Sequence, residues 1–179
     1  MMRFFICGLS ILYMSSIAYA YTGFGVCNFG KQTVPSVICY GPTVLKQTIV
    51  SGDIKVTGTL KAENISAHDV AVEGALDISN SQVIGSVNVI GALLADHVEF
   101  QKGVAVVTNN IVLNHSKING LMTVTSQQGT PYLQVQCNSV ITGSVLFDGK
   151  AGVIQVTGDS IVEGKVVNGS MEFVKRNCD

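Results

Sequence analysis

The amino-acid sequence predicts an all-β fold, a single-stranded parallel β-helix (β-solenoid) with about 17 residues per coil. Two observations lead to this prediction: an abundance of β-branched residues and glycine, and a repeat of apolar residues along the chain. Val occurs 26 times and Ile 15 times among 179 residues, together with 19 Gly, 3 Pro and no Trp. Because β-branched side chains favour extended backbone and glycine favours bends, this composition disfavours an all-helical protein.

The charge and hydropathy of the chain exclude two further classes. A formal net charge of −1 argues against a nucleic-acid-binding protein, which would show a basic face. With 13% charged and 47% hydrophobic residues, the chain is not that of a disordered protein.

Apolar residues recur in three series with nearly constant steps. Pairs of apolar residues two positions apart return after 16, 17, 17 and 18 residues, a second series steps by 16, 17 and 18, and a third by 18, 15 and 20. Three short strands per coil, each directing one or two side chains inward, would give this pattern. The series are Ile54/Val56, Val70/Val72, Val87/Val89, Val104/Val106 and Met122/Val124; then Leu60, Leu76, Leu93 and Ile111; then Ile65, Val83, Val98 and Ile118.

Glycines and polar residues mark the expected corners between strands, because glycine and asparagine accept positive φ. Later in the chain the glycines are farther apart, but the 17-residue period returns when two insertions, Ser126–Pro131 and Asp148–Ala151, are left out. The expected solenoid then has seven coils. A Val-rich sandwich is the alternative, but its strands usually recur every 8–12 residues, whereas apolar residues here recur every 4–7. The marker glycines are Gly52, Gly74, Gly85, Gly103, Gly120, Gly143 and Gly164.

The first twenty residues have the pattern of a secretory signal peptide. Arg3 gives a positive start, residues 4–17 are mainly apolar, and Ala18-Tyr19-Ala20 matches a small-x-small cleavage site. The apolar stretch is too short for a comfortable membrane span, and no later segment is long enough. We therefore expect an exported protein, periplasmic or extracellular, without a transmembrane anchor, whose mature chain starts at Tyr21.

Four cysteines follow the leader, and in an exported protein they predict two disulfides with three possible pairings. The preferred pairing joins Cys27 to Cys39 and Cys137 to Cys178. Their wide spacing does not resemble a zinc motif. The expected organisation is a signal peptide at 1–20, a disulfide-stapled N-terminal cap without the repeat at 21–49, the solenoid at 50–174, and a C-terminal tail at 175–179 held by the second disulfide.

The texture Val/Ile-x-Gly-x-Val-x-Val, over roughly residues 50–173, resembles the bactofilin family of polymer-forming β-solenoid proteins. The resemblance implies a triangular, right-handed parallel β-helix that joins end to end into filaments. The chain departs from that family in its leader and its four later cysteines, since bactofilins are typically cytoplasmic. Left-handed hexapeptide acyltransferases are a poorer match, because the strand spacing here does not keep to six residues.

The sequence contains three histidines and scattered acidic residues. His97 and His115 are 18 residues apart, so a solenoid would stack them on one edge, with Asp96 or Asp69 as a neighbouring carboxylate. His68, His97 and His115 are all expected at one polar corner, where a solvated turn explains them without a function. We accordingly predict no catalytic residue, no metal site and no cofactor.

The function expected from the sequence is that of an exported, non-catalytic structural solenoid. It would self-associate through its ends or edges, or serve as a scaffold in the cell envelope. The alternative is an adhesin-like module that binds a surface glycan or another envelope component. A β-helix hydrolase or lyase is the third interpretation, and it would require histidines or carboxylates to converge, as His97, His115 and Asp96 could.

Overall fold

The computed structural model describes residues 20–175 and 178, and the predicted signal peptide lies outside them except for Ala20. These described residues form 24 strands and no helix. The strands wind into a parallel β-solenoid of nine turns, which confirms the predicted fold class. No described helix could therefore span a bilayer.

Each complete turn contributes strands to three parallel ladders, which we call the first, second and third faces. The first face contains nine strands in chain order. They are β1 (Tyr21–Phe24), β4 (Val37–Tyr40), β7 (Ile54–Thr57), β10 (Val70–Glu73), β12 (Val87–Ile90), β14 (Val104–Val107), β17 (Met122–Thr125), β20 (Val145–Asp148) and β23 (Val166–Val167).

The second face also follows chain order, and two of its strands continue around a corner into the third face. Its strands are β2 (Cys27–Phe29), β5 (Thr43–Lys46), β8 (Leu60–Glu63), β11 (Leu76–Val83), β13 (Leu93–Phe100), β15 (Asn110–Asn114), β18 (Tyr132–Gln136), β21 (Gly152–Thr157) and β24 (Gly169–Val174).

The third face consists of short strands and of the final residues of β11 and β13. The described part of the ninth turn contributes no strand to this face. The short strands are β3 (Gln32–Val34), β6 (Thr48–Val50), β9 (Ser66–Ala67), β16 (Lys117–Ile118), β19 (Val140–Ile141) and β22 (Ile161–Val162).

Strand register explains the repeat and corrects its third series. Ile54 pairs in register with Val70, and Leu76 with Leu93, as the first two series predict. The third series mixes two positions, because Val83 pairs with Ala67 and with Phe100 on the third face. Ile65 and Val98 instead occupy the inward side of the preceding corner. A buried apolar residue at this corner cannot be distinguished in the sequence from an inward strand residue.

The solenoid begins earlier than the sequence suggests. Residues 21–50 contain β1 to β6, and Tyr21 pairs in register with Val37, which pairs with Ile54. The segment therefore forms the first two turns of the solenoid rather than a cap without repeat, and these precede the seven turns expected after it, which gives nine in all. The repeat was hidden because buried Cys27, Phe29 and Thr43 stand at positions where later turns have aliphatic residues.

Both disulfides join the predicted pairs. The Cα atoms of Cys27 and Cys39 lie 6.4 Å apart, and the bond links the first two turns. The Cα atoms of Cys137 and Cys178 lie 5.4 Å apart across a sequence separation of 41 residues. The second bond therefore attaches the C-terminal tail to the side of the seventh turn.

Buried serines satisfy backbone donors at the corner between the second and third faces. The Ser139 hydroxyl accepts a hydrogen bond from the amide of Ser116 at 3.0 Å, and the Ser160 hydroxyl accepts one from the amide of Ser139 at 3.2 Å. The Ser116 hydroxyl accepts a hydrogen bond from the amide of Val98 at 3.1 Å in the same way. This serine column supplies acceptors where strand pairing is interrupted.

The two ends of the solenoid differ. At the first turn, the ring of Tyr21 packs edge-on against Phe29 with centroids 4.7 Å apart, so an aromatic side chain covers that end of the core. At the ninth turn, Met171 and Phe173 continue the inward positions of Ile154 and Val156 and are 42% and 77% exposed. The described residues therefore leave the core open at its C-terminal end.

Candidate functional site

The corner between the second and third faces places one residue per turn in the left-handed backbone region. We call these residues the corner column; their φ values lie between 44° and 54° in six consecutive turns. Asparagine is favoured in this region because its short polar side chain can bond locally, whereas most other residues avoid it. The corner column contains Gln47, Asn64, Asn80, His97, His115 and Cys137.

Two neighbouring turns place histidine in the corner column and bring the two rings together. The imidazoles of His97 and His115 stack with centroids 4.4 Å apart and an interplanar angle of 14°. The Nδ1 atoms of His97 and His115 lie 3.0 Å and 3.8 Å from the same oxygen, Oδ1 of Asp96. The stacking expected from the 18-residue spacing is therefore present, and Asp96 is the carboxylate beside it.

A neighbouring amide fixes the Asp96 carboxylate. Asn114, the strand partner of Asp96 in the next turn, donates a hydrogen bond from Nδ2 to the same Oδ1 at 2.7 Å. Nδ1 of His115 is buried and has no hydrogen-bond partner. The His115 side chain is 28% exposed and that of His97 54%, so the cluster is open to solvent mainly on the His97 side.

His68 lies at a different corner, between the third and first faces, contrary to the prediction of one shared polar corner. Its Nδ1 is 3.1 Å from Oδ2 of Asp69. Oδ1 of Asp69 accepts hydrogen bonds from the Ser86 amide at 2.6 Å and the Ser86 hydroxyl at 3.0 Å. The backbone hydrogen bond from Ser86, the largest cause, lowers the pKa of Asp69 below its ordinary value, since it stabilises the charged form.

This different placement also explains the glycine series. Gly85 stacks against His68 and Asp69, so these two residues occupy the corner where neighbouring turns have glycine. Gly74 belongs instead to the corner between the first and second faces, with Gly58 and Gly91. The glycine series singled out from the sequence therefore combines two different corners of the coil.

A groove of about 760 Å³ runs along the corner column on its third-face side. Its walls include Asn64 and Asn80 from the column and Gln82, Glu99 and Lys117 from the strands. A second groove, of about 630 Å³, lies on the opposite side of Asp96 and reaches the second disulfide. His115 thus lies between the two grooves and lines both of them.

The described residues offer the histidine pair no obvious nucleophile. The hydroxyl of Ser116, next to His115 in sequence, is buried and donates to the carbonyl of Asn114 at 2.7 Å. Glu73 lies on the first face and Asp77 on the second, so these two carboxylates are also separated. The groups that the site itself offers to a ligand are two imidazoles and one carboxylate.

The buried serine column was not predicted from the sequence, although the spacing of its serines could have revealed it. Ser116, Ser139 and Ser160 are separated by the same steps as Gly120, Gly143 and Gly164, which had been recognised as corner residues. Ser139 and Ser160 were expected at corners, but their burial was not, because serine is usually exposed and its burial here depends on backbone donors that only the coiled structure reveals.

In comparisons with known proteins, no family model, curated protein or solved structure matches this chain.

Proposed function

We propose that this protein is an exported, non-catalytic structural rod that associates with further copies of itself through its ends. The observation that carries the proposal is the open ninth turn. Phe173 and Met171 are exposed at positions whose partners in the eighth turn, Val156 and Ile154, are buried. Stacking another copy there would bury these side chains and pair the free edge of β24.

The first turn can receive such a contact. Among the residues that the structure describes, its strands β1, β2 and β3 are paired only with the second turn. Phe24 and Val26 are 83% and 75% exposed at this end. Head-to-tail stacking would continue the parallel ladders from one rod into the next, because both end turns present parallel strands. Export is supported by the two disulfides, which are typical of oxidising compartments.

Sedimentation velocity of the exported, purified protein tests this proposal over a wide concentration range without reductant. We expect species larger than a monomer to grow with concentration, and Phe173→Ser to return the protein to a monomer. Ile90→Ser is the matched control, because Ile90 is an exposed apolar residue in the middle of the first face. A protein that stays monomeric at every concentration would overturn self-association.

A variant at the other end distinguishes the two geometries. In a head-to-tail assembly, Phe24→Ser weakens association as Phe173→Ser does, and the species grow beyond a dimer. In a tail-to-tail dimer, Phe24→Ser has no effect and growth stops at two copies.

A second candidate function is binding of an extended glycan in the groove beside the corner column. The amides of Asn64, Asn80 and Gln82 and the charged groups of Glu99 and Lys117 favour this interpretation, because hydroxyl-rich ligands require closely spaced donors and acceptors. A glycan array with wild-type protein and Gln82→Ala tests it. Binding that is reduced by this substitution supports a glycan module, whereas the absence of any bound glycan removes it.

A further inference from the structure

We propose that Asp96, His97 and His115 form a binding site for one divalent transition-metal ion of the zinc class. The site goes beyond the structural function proposed above, and beyond the sequence-based expectation of no metal. It lies in the middle of the rod, in the fifth and sixth turns, and does not depend on association at the ends.

The choice of residues in the corner column is the first observation. Asn64 and Asn80 precede the two histidines in the column, and asparagine suits its backbone conformation. His97 and His115 adopt the same conformation with φ of 54° and 44°, so the fold does not require an imidazole there. Two histidines in successive turns therefore call for an explanation other than backbone geometry.

Convergence of donor atoms is the second observation. Each of the three side chains offers one ligand atom, and these atoms lie within 4.8 Å of one another. In a tetrahedral zinc site with Zn–N bonds of about 2.0–2.1 Å, neighbouring donors lie roughly 3.4 Å apart. The distances of 3.0 Å and 3.8 Å from Asp96 Oδ1 to the two Nδ1 atoms bracket that value.

The unpartnered nitrogen is the third observation. Nδ1 of His115 is buried without a hydrogen bond, which is unfavourable for a polar atom. A metal ion would occupy its lone pair and also that of His97 Nδ1. Because the stacked rings are nearly parallel, both lone pairs reach one ion only after a ring rotates. His97 is the ring with more room, since its side chain is 54% exposed, and its rotation would exchange the hydrogen bond between Nδ1 and Asp96 Oδ1 for a bond to the metal.

The outer contacts resemble the support that metal ligands usually have. Asn114 donates to Asp96 Oδ1 and holds the carboxylate beside the rings, as second-shell groups orient first-shell ligands. Cys137, next to His115 in the column, is already bonded to Cys178 and is not available as a ligand.

The donor set selects the class of metal. Two imidazole nitrogens and one carboxylate oxygen suit Zn²⁺, Ni²⁺, Co²⁺ and Cu²⁺, with a remaining position for water, whereas Mg²⁺ and Ca²⁺ prefer oxygen ligands alone. The second cluster, Asp53, His68 and Asp69, provides only one imidazole. In addition, Asp69 already accepts two hydrogen bonds from Ser86. This second cluster therefore serves as an internal control.

Isothermal titration of the chelator-treated, exported protein with ZnCl2 tests the site, with MgCl2 as the negative control. We expect one Zn²⁺ per chain for wild type and for His68→Asn. His97→Asn and His115→Asn should each weaken Zn²⁺ binding on the order of 100-fold. Both variants place in the column the residue that it already has at Asn64 and Asn80, so unfolding by urea should be little changed.

Two results would overturn the site: wild-type protein that binds no Zn²⁺, or His97→Asn and His115→Asn variants that bind it as wild type does. A second, independent test of the site needs only wild-type protein. Paramagnetic Co²⁺ at one equivalent should perturb the NMR signals of the His97 and His115 rings and spare those of His68. Perturbation of His68 alone would assign the metal to the other cluster and remove this proposal.

Discussion

Single hydroxyl groups hold the corner between the second and third faces together. Ser139 is fully buried, and its Oγ both accepts from the Ser116 amide and donates to the carbonyl of Gln136. At this corner the strand ladders are interrupted, so the hydroxyl replaces a hydrogen bond that a neighbouring strand would otherwise provide. The corner is thus stabilised by side chains rather than by strand pairing.

Replacing Ser139 with alanine should lower the free energy of unfolding by about 1–3 kcal/mol, because a buried amide and a buried carbonyl each lose a partner. Urea denaturation measures this change. Ser51→Ala, at an exposed bend, is the control and should alter stability by less than about 0.5 kcal/mol. Equal effects at the two positions would contradict the role assigned to the serine column.

Acid should selectively weaken the contribution of Asp69. Its pKa is lowered in the folded protein, mainly by the Ser86 amide, so the unfolded chain binds a proton more readily than the folded one. The resulting stabilisation is present above the ordinary aspartate pKa of about 3.9 and is lost as the pH falls through the lowered value. Wild-type protein should exceed Asp69→Asn in urea midpoint at pH 7, and the difference should shrink in acid. A difference in urea midpoint that widens on acidification would contradict this prediction.

At the scale of the element, the tight corner between the first and second faces depends on glycine. Gly41, Gly58, Gly74 and Gly91 have φ between 138° and 148°, a region that side chains rarely enter. A Cβ on Gly74 would also press against the carbonyl group of Gly58 in the turn below. Backbone conformation and close approach between turns therefore both require the absence of a side chain.

Gly74→Ala should consequently destabilise the protein by more than about 1 kcal/mol, because alanine fits neither the backbone angle nor the space. Thermal unfolding followed by circular dichroism measures the effect. Gly30→Ala provides the comparison, since nothing lies within 4 Å of its Cβ position. A Gly74→Ala protein as stable as Gly30→Ala would mean that the corner relaxes without strain.

The strands of the middle turns could be predicted from sequence, whereas the corners could not. Leu60, Leu76 and Leu93 fall in register because most inward strand positions hold apolar side chains, which makes the period visible. Corner positions accept several chemistries: Val98 and Ser116 occupy the same inward site in successive turns. A residue such as Val98 therefore resembles a strand residue in the sequence and shifts the apparent step.

The candidate site shows the same division. Stacking of His97 on His115 followed from their spacing, because residues one coil apart lie above one another in a solenoid. The separate position of His68 did not follow, since each turn has several polar corners and His68-Asp69 resembles Asp96-His97 in reverse order. Only the backbone path distinguishes the two corners.

At the scale of the whole molecule, the second disulfide secures the open end of the rod. It closes a loop of 41 residues that contains the eighth and ninth turns. The ninth turn has neighbours on one side only and exposes β24 along its whole length. The covalent bond therefore holds in place an end of the solenoid that has a neighbouring turn on one side only.

Replacing Cys137 and Cys178 together with alanine should lower the free energy of unfolding by about 4 kcal/mol, the loop-closure entropy expected for this separation. Urea denaturation of the two proteins under oxidising conditions measures the change. Reductant should destabilise the double variant less than wild type, because only Cys27–Cys39 remains to be reduced. An unchanged unfolding midpoint in the double variant would show that the tail is held without the bond.

The same bond decides how the rod would respond to a load. A pull applied at Cys178 passes through the disulfide directly to Cys137, so the 40 residues between them carry no tension. The eighth and ninth turns cannot be peeled off one after the other from the C-terminal side, and the force enters the solenoid at the side of its seventh turn. A protein tethered by its tail would thus be loaded across stacked strands that are covered on both sides, rather than at its exposed last strand.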